Sequence, residues 1–378
     1  MNNNAKNTSC EILMYPTDPK YDEGIREFQG CPTIAISPKG RIFAGWYAGG
    51  WREPHMDNYN LIVHSDDDGK TWSKPVCIMP SDRERLIHVL DIQLWMSPEG
   101  KLFVFWVQNN VRPAAGDPPE FTKAKPGIRI DGYDFTDFTH AEWCMVCDDP
   151  DAEKIVFSKP RYLDIGFLRC KPTVLSSGEW INFNYDQEHD RYGYSISLDK
   201  GENYKHYYGS KKLETHFDEA MAYERLDGSL RMIARSSANK LAESYSFDKG
   251  LSWTDAEFTD IDSPNTRIFV SRTPSGRILL VNNDSSVSRC NMSVYLSEDD
   301  GASFKYKRLI DSRDSLSYPD VDFYDGKIYL VYDRERCGIG SAREILFTSF
   351  TEEDIMNDNY VFTTSIISKT DFPVTNHK

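Results

Sequence analysis

Six stretches of this 378-residue chain repeat one pattern: an apolar strand, a tight turn ending in glycine, and a second apolar strand. The stretches SPKGRIFAGWY, SPEGKLFVFWV, LSSGEWINFNY, RLDGSLRMIAR, TPSGRILLVNN and FYDGKIYLVYD carry their turn glycines at Gly40, Gly100, Gly178, Gly228, Gly276 and Gly326. Successive glycines lie 60, 78, 50, 48 and 50 residues apart. A recurring period of this size marks a repeat architecture, and ordinary strand and loop lengths give each repeat about four short strands. A second signature runs in register with the first: Ser65-Asp-Asp-Asp-Gly69-Lys-Thr-Trp72 and its counterparts Ser197 to Tyr204, Ser246 to Trp253 and Ser297 to Phe304. Their glycines follow the hairpin glycine of the same repeat by 29, 23, 22 and 25 residues. In such a turn the Asp side chain bonds backbone N–H groups, the glycine supplies a positive φ and the terminal aromatic packs under the sheet.

A four-stranded sheet cannot bury both faces alone, whereas six arranged radially cover one another and leave only short edges. The expected fold is all-β, a six-bladed β-propeller occupying residues 1–378 as a single domain. The segment 1–29 is expected to supply the strand that closes the ring against blade six. Repeat two is long because residues 112–140 insert a Pro/Gly-rich loop, of a kind that often covers a site.

Composition narrows the partners. Aromatic residues reach 13%, favouring strands and surfaces that stack on sugar rings. The net charge of −15 repels nucleic-acid phosphates and anionic lipid, so an anionic ligand needs a local cluster of arginines. The apolar run Leu102 to Val107 is far shorter than a membrane-spanning helix requires. The N-terminus lacks the basic start and apolar stretch of a secretory signal, and a cytoplasmic protein is expected. The eight cysteines are dispersed in apolar stretches and read as free thiols; Cys144-x-x-Cys147 has no second pair to complete a zinc site. No metal or cofactor site is assigned, and nothing in the sequence reports an oligomeric state.

Equivalent positions in the repeats should face one axial cavity. Nine residues before each turn glycine stand Cys31, Asp91, Arg169, Glu219, Arg267 and Ser317, with Tyr318 next to the last. Charges at the start of apolar inner strands are costly unless paired or used. Asp186, Arg235, Asn283 and Asp333 on the following strands form a second tier.

The repeated aspartate boxes and the hairpin ladder resemble the sialidase superfamily over nearly the whole chain. In blade four, DEAMAYERLDGSLRMIARSS is similar to the family segment in which a Glu precedes an arginine of the substrate-carboxylate triad, implying Glu219 and Arg235 in those roles. In blade five, SRCNMSVYLSEDDG resembles the segment with another triad arginine, implying Arg289. SYPDVDFYDGKIYLVYDRE resembles the stretch holding the catalytic tyrosine, implying Tyr318. Chemistry agrees, because a phenol with pKa near 10 needs a carboxylate to take its proton before it can attack at neutral pH.

Two departures stand out. The family's blade-one Arg-Ile-Pro appears here as Gly30-Cys31-Pro32, with Arg169 and Arg267 as candidates to replace the lost charge. The acid/base carboxylate, which the family carries after the second strand of blade one, falls in GGWREPHMDNYNL. Asp57 and Glu53 are its candidates; chain order selects Asp57, with Asp91 in reserve because a buried carboxyl makes a good general acid. The resemblance implies an exo-acting, retaining glycoside hydrolase that removes a terminal acidic sugar. The alternatives are a propeller hydrolase or lyase acting on another sugar, and a non-catalytic glycan-binding propeller.

Overall fold

Each of the six hairpins forms the two inner strands of an antiparallel sheet in the computed structural model, which describes residues 4–115, 129–130, 132–135, 140–185, 189–215, 217–336 and 342–373. Blade one runs Phe28–Ile36, Ile42–Gly49, Tyr59–Ser65 and Cys77–Pro80, and blade six runs Leu316–Tyr324, Lys327–Arg334, Glu344–Thr351 and Ser365–Lys369. The inner strand of each blade packs on that of the next, and blade six returns to blade one, closing the six-bladed propeller. Apolar residues fill the seams: Ile34, Ile36 and Ile42 of blade one pack against Tyr329, Val331 and Phe347 of blade six. Among the described residues no helix is long and apolar enough to cross a membrane.

The aspartate boxes fold as read. Ser65, Ser197, Ser246 and Ser297 each donate to the Asp two residues on, at 2.7 to 2.9 Å, and accept the box glycine N–H at 2.8 to 3.0 Å. The aromatic at the box end packs across a seam rather than only under its own sheet: Trp72 meets Phe347 of blade six edge-on, and Trp253 meets Phe183 of blade three. Gly250 is required twice over, by its φ of +86° and because a β-carbon there would lie 2.9 Å from Ile181 of blade three.

The N-terminal segment departs from expectation. Blade six takes all four strands from residues 316–369, so 1–29 does not supply its closing strand. Leu13–Met14 instead pairs antiparallel with Cys77–Pro80 on the outer edge of blade one. The reason is occupancy: Ser365–Lys369 already pairs with Glu344–Thr351, leaving blade one's short outer strand as the open edge. The N-terminal segment still ties the seam through side chains, with Lys369 N–H donating to Glu23 at 2.8 Å and Arg26 donating to Ser368 at 3.1 Å.

In the blade-two insertion, the second strand runs on to Pro113 and pairs with Tyr133–Phe135, which pairs with Arg129–Ile130. Residues 116–128, 131 and 136–139 of 112–140 lie outside the described residues, as do Asp186 and Cys337. The seven described cysteines are free thiols. Cys144 and Cys147 share one strand three residues apart, so they point to opposite faces and cannot chelate together.

Candidate active site

The ring of equivalent positions is built by two local devices. In blades one, two and six the inner strand shifts register against its partner, between Gly30 and Thr33, Leu90 and Gln93, and Ser317 and Asp320. Each shift holds a non-glycine residue in the left-handed region: Cys31 at +56°, Asp91 at +56° and Tyr318 at +55°. Bulges of this kind re-aim a side chain, and such backbone costs energy that the surrounding sheet must outweigh. In blades three, four and five the ring residues Arg169, Glu219 and Arg267 instead lie in the chain just ahead of the innermost paired segment.

The axis opens into a cavity of about 250 Å³, a volume suited to a single sugar ring. Its ionic lining is Asp91, Arg169, Arg235, Arg289, Arg336 and Glu53, with Tyr318. Its aromatic lining is Phe135 from the blade-two insertion with Phe167, Tyr185 and Phe217, and Arg235 lies 5.1 Å over the Phe217 ring. Phe167 and Tyr185 stack at 5.0 Å.

Guanidinium groups surround the Tyr318 ring: their Cζ atoms lie 4.6 Å (Arg336), 4.9 Å (Arg169), 5.2 Å (Arg267) and 5.7 Å (Arg289) from its centre. Arg235 Nη1 donates to Glu219 Oε2 at 2.8 Å and to the Tyr318 hydroxyl at 3.4 Å. Arg235 therefore stands between phenol and carboxylate. The other oxygen of Glu219, Oε1, is buried, accepts no hydrogen bond among the described residues and lies 3.6 Å from Arg169 Nε. Burial alone would raise the Glu219 carboxyl, but Arg235 and Arg169 hold it down to about 2. Burial and the Glu219 charge push the Tyr318 phenol up, against the pull of the arginines. Asp91 is raised to about 7 by burial, with Glu53 and Glu219 adding and Arg169 opposing. Arg289 donates to Asn265 O at 3.0 Å and has no carboxylate within ion-pair distance among the described residues. Burial and the neighbouring charges of Arg336 and Arg235 lower its pKa. Such a positive cluster is relieved by an anion.

The structure brings Tyr318, Glu219, Asp91, Arg169, Arg235 and Arg289 together and separates two other candidates from the cavity. Asp57 does not line it: its side chain is 60% exposed, its carboxylate takes Arg83 at 2.7 Å, and it lines a wide outer groove between blade one and the N-terminal segment. Chain order cannot tell which side chain of an irregular loop points inward, and here Glu53 does. Arg267 is on the ring but serves the backbone. Its Nη1 donates to Arg169 O at 2.5 Å, and its Nη2 to Pro32 O, Tyr318 O and Pro319 O at 3.1, 3.2 and 3.0 Å. Arg169 lines the cavity, yet its guanidinium is committed to Asp91 at 2.5 Å, to Glu219 at 3.6 Å and to the Cys31 sulfur at 3.3 Å. In the second tier, Asp333 accepts Cys31 N–H at 2.7 Å and the Ser317 hydroxyl at 2.6 Å, pinning two bulges.

Sequence reasoning missed Arg336 and the aromatic lining. The signal for Arg336 was the small Gly30-Cys31 pair, which leaves room in blade one for a side chain from blade six. Cys31, Glu53 and Asp91 bring ligand-type atoms within 4.8 Å of one another. Two of the three donors are already taken: Arg169 pairs with Asp91, and Arg169 and Arg336 both donate to the thiol, which burial keeps protonated. The donor set therefore does not fit a metal ion as it stands.

Residues 40–330 match the BNR repeat-like domain family. No curated protein sequence matches the chain. Among solved structures, it is similar to the NanB sialidase of Streptococcus pneumoniae, at 16% identity over 86% of this chain and 68% of that one, with a TM-score of 0.64. The intramolecular trans-sialidase of Ruminococcus gnavus, solved with oseltamivir carboxylate, matches at 16% identity over 94% and 99% of the two chains, with a TM-score of 0.65. A protein of unknown function from Dyadobacter fermentans matches at 17% identity over 88% and 95%, with a TM-score of 0.63. With the family match spanning most of its length, the chain belongs to the BNR repeat-like domain family, and it shares the propeller fold with these sialidases.

Proposed function

We propose that this propeller is an exo-acting, retaining glycoside hydrolase of sialidase type that removes a terminal acidic sugar. The observation that carries the reading is Arg289: a half-buried guanidinium with no carboxylate partner among the described residues, lining a cavity the size of one sugar together with Arg235, Arg336 and the buried phenol of Tyr318. A substrate carboxylate supplies the missing negative charge.

In the first step the Tyr318 oxygen attacks the anomeric carbon, the bond to the leaving oxygen breaks, and Asp91 donates its proton to that oxygen. Glu219 Oε1 takes the phenolic proton. The Arg235 contact that holds Glu219 near a pKa of 2 weakens when a substrate carboxylate draws on the same guanidinium, and Glu219 becomes a better base as the site fills. In the second step Asp91 takes a proton from water, whose oxygen displaces Tyr318, and Glu219 returns its proton to the phenol. Two displacements at one carbon retain configuration. A neutral tyrosine nucleophile also avoids setting a bare carboxylate against an anionic sugar. The sialidases and the trans-sialidase among the similar structures support this reading at the level of fold.

The test is turnover of fluorogenic sialosides beside uronides and neutral glycosides. Tyr318→Phe and Glu219→Ala are each expected to lower kcat by about 10³-fold on the responding substrate. Unchanged turnover in either variant overturns the mechanism. A protein that hydrolyses none of the panel yet binds glycans on an array is a binding propeller.

A further inference from the structure

We propose that Arg336 is the third arm of the carboxylate clamp, a specificity-determining residue supplied by blade six in place of blade one. The inference rests on the acidic-sugar reading above and adds to it which guanidinium groups meet the carboxylate. Of the five arginines around Tyr318, two are committed elsewhere: Arg267 to four backbone carbonyls, Arg169 to Asp91 at 2.5 Å. Arg289 and Arg336 are left, together with Arg235, which pairs with Glu219 at 2.8 Å and turns to a substrate carboxylate only by sharing that contact; Arg336 approaches the Tyr318 ring most closely of the four whose stacking distances are given above, at 4.6 Å.

Arg336 reaches this place because blade one makes way for it. A β-carbon on Gly30 would stand 2.7 Å from Arg336 Cβ and 2.8 Å from its Cδ. Gly30 is not in the left-handed region, so its backbone would accept an ordinary residue. The glycine is demanded by the arginine stem above it and not by a turn. The next residue, Cys31, is short, and its sulfur accepts a hydrogen bond from Arg336 Nη1 at 3.1 Å. The carboxylate facing Arg336, Glu53, lies 3.6 Å away, longer than the 2.7–2.9 Å typical of a closed charge-assisted bond. The thiol thus anchors the guanidinium without neutralising it. The Arg336 side chain is 18% exposed at the cavity, which leaves edges of the fork open to a ligand. Gly30, Cys31 and Arg336 act as one unit: two small residues on one blade and a long cation from its neighbour.

The experiment is calorimetric binding of 2-deoxy-2,3-didehydro-N-acetylneuraminic acid, its methyl ester and an unsaturated glucuronate, with turnover measured in parallel. Arg336→Met is expected to weaken binding of the free acid by about 10- to 100-fold and of the ester by less than about 3-fold. Arg336→Lys, which keeps the charge but not the fork, should fall between. Gly30→Ala, which touches no sugar, should lower affinity for the acid about 10-fold by displacing the arginine stem. Tyr318→Phe should bind the acid and fail to turn over. Folded Arg336→Met protein that binds the acid within about 3-fold of wild type overturns the inference, even where Tyr318→Phe abolishes turnover and the functional reading stands. Glucuronate binding that is lost in Arg336→Met keeps the clamp and replaces sialic acid as the sugar. Wild-type protein that binds neither acid overturns both.

Discussion

The aspartate boxes and the axial ring occupy recurring places in the same repeats, and they use repetition in opposite ways. In the boxes, four copies make the same hydrogen bonds to within about 0.2 Å, each tightening a turn. On the ring, equivalent places hold a thiol, two carboxyls, two guanidinium groups and a phenol, and no two do the same work. Arg169 bridges two carboxyls, whereas Arg267 staples backbone carbonyls of three blades. The repeat fixes where a side chain sits; its neighbours fix what it does.

Asp91→Asn strains that contrast most. Because burial raises the Asp91 carboxyl to about 7, its acid form is lost as pH rises through that value, and kcat/KM of the wild type should fall there. The variant should lose about 10²- to 10⁴-fold in kcat/KM and show no such limb. A limb that survives in Asp91→Asn and vanishes in Glu53→Gln moves the acid role to the loop. Arg267→Met comes next. It strips a charged donor from carbonyls of Arg169, Pro32, Tyr318 and Pro319, and should cost roughly 3 kcal/mol or more in urea unfolding. At a temperature where the variant is folded, KM should change less than in Arg289→Met; the reverse order would return Arg267 to the substrate. The smallest effect belongs to the boxes. Ser246→Ala leaves the buried Gly250 N–H without its acceptor and should cost about 1–2 kcal/mol while kcat/KM holds. A drop in kcat/KM at full folding would show that periphery and axis are coupled.

Counting back from the turn glycines located Asp91, Arg169 and Glu219 because strand length and turn length hold steady from blade to blade. The count missed Tyr318 by one residue for a structural reason. Blade six closes its hairpin between paired residues Tyr324 and Lys327, whereas blade one closes between Ile36 and Ile42, so the glycine moves relative to the bulge. Asp57 was misplaced because the segment after the second strand of blade one has no strand period to say which side chains turn inward. The N-terminal segment was misplaced because two edges were open to it in principle, and only the pairing of Ser365–Lys369 shows which one was already filled.

Sequence alone determined the architecture: a short-range pattern of apolar alternation, turn glycines and Ser-Asp boxes, repeated until the sheets could only cover one another. Only the tertiary structure decided which charges face the axial cavity. That choice depends on contacts between residues hundreds of positions apart, such as Gly30 beneath Arg336, and pairing between guanidinium and carboxyl is set by distances in space that spacing along the chain does not encode.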